Sequence, residues 1–195
     1  LIHEISRGLP SFSHIDASRI TVCVASGRTD ARGGLCGKLW PLRFEGGHGV
    51  IRHRGRLYAA PELSRDGVNQ LYIIYFYMPR FFDRPPREKI NIILHELYHI
   101  SPVFDGDIRR MGKKKAAHGH SKEAFDSHFA REAEDFYGRI SSTPYMNFLS
   151  LDSKGLSRTF EKVSASRMRA PKPVLIGQDH PEGNAYAPAP PRSTR

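Results

Sequence analysis

The period of the apolar positions changes several times along this chain, and each change marks an element. Leu71 to Met78 reads LYIIYFYM, an unbroken apolar and aromatic run closed by Pro79. A run without polar alternation predicts a strand covered on both faces. Its aromatics alternate to both sides and lack interleaved cations, so they suit a buried strand better than a base-stacking surface. Beyond Pro85-Pro86, Ile90, Ile93, Leu94 and Leu97 recur at i, i+3, i+4 and i+7, the spacing of a helix with one buried face. Proline suits its first turn, Glu88 there suits the helix dipole, and Ser101-Pro102 ends it. Phe125, Phe129, Ala133, Phe136 and Ile140 form a second stripe, predicting one helix from an N-cap at Ser121 to about Ile140.

The remaining signals are shorter. Leu1, Ile2, Ile5 and Leu9 predict a small helix stopped by Pro10. Ile20 to Ala25 is β-branched and predicts a strand, followed by a glycine-rich loop from Ser26 to Gly34. Leu35 to Glu45 predicts a second strand broken by Pro41. Val50-Ile51 and Leu57 to Ala60 predict strand pieces around the basic run Arg52 to Arg56. Phe148 to Leu151 and Leu156 to Val163 can add a short element. From Ser164 the chain turns basic and proline-punctuated, which predicts disorder. The expected organisation is a domain over 1–145, an extension over 146–163 and a tail over 164–195. The class is α+β, with a small mixed sheet packed on the 90–100 helix and on the helix that follows it.

Composition narrows the setting. Hydrophobic residues make up 39% of the chain, low enough to place part of it outside the core. No apolar run approaches the length needed to cross a bilayer, so no membrane partner is expected. Cys23 and Cys36 are too few for a disulfide framework or a zinc ribbon, and a reducing, cytoplasmic setting follows as the expectation. A monomer is expected. The net charge of +10 leaves nucleic acid open as a partner. The densest cluster, Arg109-Arg110 with Lys113 to Lys115, reads more simply as a solvated loop.

One motif carries chemistry. His95-Glu96-Leu97-Tyr98-His99 is His-Glu-x-x-His, set inside the apolar helix. On a helix, His95 and His99 project from one side a turn apart, and two neutral imidazoles so spaced can bind one Zn²⁺. Glu96 then sits where its carboxylate reaches a water on the metal without ligating the metal. With 10 histidines in 195 residues, and as many glutamates, chance supplies about 0.03 such motifs. A polar trio embedded in a core helix is also costly without a purpose.

His95 to Gly106, HELYHISPVFDG, resembles the metallopeptidases of phages and prokaryotes. In these the motif is followed by Ile or Leu and Pro, then by an aromatic and Gly, and later by a further His. The likeness spans about residues 1–140 and is specific at the motif. More distantly the chain is similar to SprT-like minimal peptidases, whose third zinc ligand is a His shortly before an aromatic. The resemblance implies a minimal zincin-like core and hydrolysis of a peptide or protein substrate. It implies Zn²⁺ held by His95, His99 and one downstream ligand, with Glu96 as the general base. An extended substrate could add to an edge strand. The metzincins are excluded, because the third His of their extended motif is missing.

The third ligand is expected to be His120, which directly precedes the Ser121 cap and comes before Phe125. His118 is the first alternative, and a carboxylate such as Glu123 or Glu132 the second. Eighteen residues separate His99 from His118 and twenty separate it from His120, enough for the chain to reverse. Arg109, His128 and Tyr137 are candidates for stabilising an oxyanion. A deformylase-like amidase would need a cysteine ligand, and Gly34 to Gly37 around Cys36 does not resemble that motif. Two alternatives to a peptidase stay open: a basic nucleic-acid-associated protein, including a DNA-associated protease, and a zinc-binding regulatory module without catalysis.

Overall fold

The Leu71–Met78 run forms the centre of the molecule. In the computed structural model, which describes residues 1–26, 34–112, 118, 121–162, 164 and 166–178, Tyr72–Met78 is the middle strand of a three-stranded sheet. The strands in chain order are β1 (Ile20–Ser26), β2 (Gly37–Pro41), β3 (Val50–His53), β4 (Arg56–Ala59), β5 (Ser64–Arg65), β6 (Val68–Asn69), β7 (Tyr72–Met78) and β8 (Val174–Gln178). β1 pairs with β7 in parallel and β2 pairs with it antiparallel, so the sheet is mixed and β2 is an edge. Tyr72, Ile73 and Ile74 are fully buried, as the unalternating run predicts.

The helices are α1 (Ile2–Gly8), α2 (Pro86–Tyr98), α3 (Lys122–Ser127), α4 (Ala130–Ile140), α5 (Pro144–Leu149) and α6 (Ser153–Thr159). Ile90, Ile93, Leu94 and Leu97 turn the apolar stripe of α2 into one core with Ile74, Phe76 and Leu39. The N-terminal segment is part of that core through Ile5, Leu9 and Phe12. Lys89, on the same helix, is buried too. Its Nζ donates to the carbonyls of Leu149 (2.8 Å) and Leu151 (2.7 Å), which ties α2 to the end of α5. Among the described residues no helix is long and apolar enough to cross a membrane.

The structure corrects two expectations. The helix foreseen over 121–140 is two helices. At the junction the chain tightens: His128 N–H bonds Phe125 O and Phe129 N–H bonds Asp126 O, both three residues back. Ser127 Oγ also donates to Ala124 O (2.8 Å), competing with the helical ladder. The break lets Phe125 pack beneath the histidines while Phe129 packs edge-on against Phe12. The second correction lies in the tail. Val174–Gln178, inside the stretch foreseen as disordered, pairs with β4 and completes a second sheet, β3-β4-β8. Val174, Leu175 and Ile176 supply the β-branched and apolar character that the surrounding prolines mask in composition.

The loop after α2 decides where the chain goes next. Ile100 bridges Ile108, and Arg109 N–H bonds His99 O at 2.6 Å. Buried Tyr72 clamps the turn: its hydroxyl donates to Asp107 O and accepts from Gly106 N–H, each at 2.9 Å. Gly106 has φ +90°, and a Cβ there would lie 2.6 Å from Arg43 Cγ, so only glycine fits this turn.

Candidate metal centre

α2 presents His95 and His99 on one side at its C-terminal end, both buried. The chain returns after the clamped turn and brings His118 to them. The three Nε2 atoms form a near-equilateral triangle, with separations of 3.0 Å (His95 to His118), 3.2 Å (His95 to His99) and 3.1 Å (His99 to His118). Three nitrogens bound tetrahedrally to one Zn²⁺ lie about 3.3 Å apart, so the triangle is close to the span a zinc ion requires.

Protonation supports the same reading. His95 Nδ1 lies 2.5 Å from Asp126 Oδ1. An ionised carboxylate can only accept, so Nδ1 carries the proton and Nε2 keeps its lone pair. Each other Nε2 has at most one proton to give, so hydrogen bonds can satisfy at most two sides of the triangle. A cation among the three lone pairs satisfies all of them. Burial, followed by the facing imidazoles of His95 and His118, pushes His99 down to about 3. Burial also lowers His118. The residues therefore fit a metal ion, and among the described residues His95, His99 and His118 are the group able to hold one.

Phe125 forms the floor of the site. It is fully buried and its ring contacts all three imidazoles: His99 stacked at 4.5 Å, His95 edge-on at 5.0 Å and His118 edge-on at 5.3 Å between centroids. Asp126, the next residue, braces His95 and takes Lys122 Nζ at 3.0 Å on its other oxygen. Burial pulls the Asp126 carboxyl upward, but the hydrogen bonds from His95 and Lys122 outweigh this and hold it below its usual range.

Glu96 points from α2 to the sheet edge. It is buried, and its Oε2 accepts the Leu39 backbone N–H of β2 at 2.7 Å. Burial raises its pKa against the opposing pull of His95 and the Leu39 bond, which moves a carboxylate toward the range useful to a base at neutral pH. Gly37 is what lets β2 come this close, since a Cβ there would meet Glu96 Cγ at 2.8 Å and Oε1 at 2.9 Å. A cleft of about 370 Å³ opens beside His95, Glu96 and His118, walled by Gly34 to Gly37 and Ile92, with Arg84, Glu88 and Lys122 at its sides.

The other residues singled out by sequence fall in different places. His120 lies outside the described residues. Glu123 is exposed. Glu132 accepts from Ser11 Oγ (2.5 Å) and Ser11 N–H (3.2 Å), which anchors the N-terminal segment instead. Arg109 donates to Tyr98 O at 2.8 Å and lies over the Tyr98 ring, His128 stacks on the same ring, and Tyr137 packs under Arg87. None of these three lines the cleft, whereas Cys36 does. Asp126, Gly37 and the Leu39 N–H escaped the sequence reading. The one available signal for Asp126 was an acid beside Phe125 in the apolar stripe.

The architecture and the clustered histidines are those of a small α+β metallopeptidase-like protein. The chain belongs to the family described as "Putative phage metallopeptidase", whose model matches residues 1–150. Comparison with curated proteins and with solved structures gave no match.

Proposed function

We propose that this protein is a zinc-dependent peptidase in which His95, His99 and His118 hold the metal and Glu96 is the general base. The observation that carries the reading is the convergence of three Nε2 atoms within 3.2 Å beside a buried carboxylate that is not one of them. Zinc, when bound, supplies Lewis acidity to the scissile carbonyl and to the attacking water. Glu96 accepts the proton of that water and delivers it to the leaving amine nitrogen. The Leu39 N–H fixes the carboxylate, and Asp126 holds His95 in the tautomer that offers Nε2. Edge strand β2, beside the cleft, is the place for an extended peptide to align, through main-chain hydrogen bonds.

The test is metal content and peptide hydrolysis measured together. Wild type should bind about one zinc per chain and cleave a denatured protein substrate. Glu96→Gln should keep the zinc and lose at least about 100-fold in rate. Equal turnover in the two proteins would reject Glu96 as base. Zinc binding without cleavage of any sequence in a diverse peptide library would favour the regulatory module.

A further inference from the structure

The second sheet carries features that peptide hydrolysis does not use. On one face of β3-β4-β8, Ile51 lies opposite Tyr58, and His53 lies opposite Arg56. Together with Trp40 and Phe44, Tyr58 lines an open apolar groove of about 600 Å³, to which Lys172 and Pro173 also contribute. The groove runs into a second concavity lined by His53, Arg54, Arg56 and Tyr58, so aromatic walls pass directly into cations. Lys38 Nζ lies 4.8 Å from the centre of the Trp40 ring. The sequence of the β3–β4 hairpin and of the approach to β8 is one-sided in charge. No Asp or Glu occurs between Glu45 and Glu62, nor from Lys162 to Gln178, while Arg52, Arg54, Arg56, Arg167, Arg169 and Lys172 fall in those stretches. Glu45 itself faces Arg110 at 3.7 Å.

We propose that this groove binds single-stranded nucleic acid, its bases stacking on Tyr58 and Trp40 and its phosphates following the cations of the β3–β4 hairpin. Each half of the pattern answers a different part of such a ligand. Flat apolar rings at the groove wall take unpaired bases of any sequence, and the flanking Arg and Lys take the backbone. Duplex DNA hides its base faces, so it would meet the cations and leave the aromatic wall unused. A lipid surface would require apolar residues at the protruding tip, whereas the tip is Arg54-Gly55, with both residues at positive φ. The same strand serves both places, because β2 supplies the Leu39 N–H to Glu96 and the Trp40 ring to the groove.

The experiment is fluorescence anisotropy of the full chain with a labelled mixed-sequence 20-nucleotide DNA, single-stranded and as a duplex, from 50 to 200 mM salt. Preferential binding of the single strand is expected. Arg54→Gln with Arg56→Gln should weaken it more than tenfold and make the log–log salt slope less steep by about 1.4, since each released cation contact contributes about 0.7. Tyr58→Ala should weaken it about fivefold to 100-fold with the salt slope unchanged. Unaltered zinc content in the variants will separate a binding defect from misfolding. Absence of binding by wild type at 50 mM salt overturns the proposal. So does equal affinity for duplex with no effect of Tyr58→Ala, or tighter association with phosphatidylserine-containing vesicles than with the oligonucleotide.

Discussion

Replacing Asp126 should weaken the metal site without touching a ligand. Its Oδ1 lies 2.5 Å from His95 Nδ1, and its side chain is 33% exposed against 9% for His95. A hydrogen bond to a charged group contributes about 1.5–3 kcal/mol when enclosed. Partial exposure of the carboxylate moves the expected value to the lower half of that range. Loss of the carboxylate also frees His95 to move its proton to Nε2, which removes the lone pair the metal needs. Asp126→Ala should therefore raise the zinc dissociation constant by about 10- to 30-fold, consistent with the cost of removing partners behind a metal-bound histidine. Asp126→Asn, which keeps an acceptor but not the charge, should fall between the variant and wild type. The assay is competition for zinc against a chromogenic chelator, with thermal melting of the metal-free proteins run beside it. Wild-type zinc affinity in Asp126→Ala would refute the reasoning. So would a weaker site accompanied by an equally large loss of metal-free stability, since the residue would then be holding α3 rather than His95.

Further outcomes follow from other contacts. Gly37→Ala should leave zinc content unchanged and cut hydrolysis at least about tenfold, because the new methyl displaces Glu96; parallel metal analysis and rate measurement check it. Lys89→Met should cost about 1–3 kcal/mol in urea unfolding, since one buried and one part-buried carbonyl lose a charged donor. In chelator, the metal-free protein should lose stability as pH falls from about 6.5 towards 3. Across that window the unfolded chain protonates the position of His99 and the folded chain, with that group held at about 3, does not. The slope expected from this group is about 1.4 kcal/mol per pH unit, and flat stability from pH 7 to 4 would contradict it.

The sheet centre and the α2 helix were legible because their apolar periods are clean over a full element. Their burial also coincides with the strongest chemical motif in the chain. The break between α3 and α4 was not legible, since the stripe from Phe125 to Ile140 continues across it and neither Pro nor Gly marks it. The junction is made by the local bonds around Ser127 together with tertiary packing, which places Phe125 under the histidines and Phe129 against Phe12. β8 was hidden for the opposite reason, as five strand residues are diluted by a long proline-rich context. At the site, His95 and His99 could be paired from helical spacing alone. The downstream partner could not, because the two histidines of the His118-Gly119-His120 stretch differ by two residues and spacing does not separate them. The Leu39 N–H has no sequence signature, since a backbone donor is available at nearly every position.

The ring of Phe125 also bears on which metal the site will accept. One fully buried side chain lies under three imidazoles, so close packing in the hydrophobic core supports the spacing of their nitrogens. The work of gathering the ligands is then completed during folding and is not deducted from metal affinity. A metal preferring square-planar ligation must either accept a facial triangle or push an aromatic ring out of a filled interior. If the three histidines hold a metal as proposed, selectivity among ions becomes a mechanical property of the core, and enlarging the space beneath the site should relax it while every ligand remains in place.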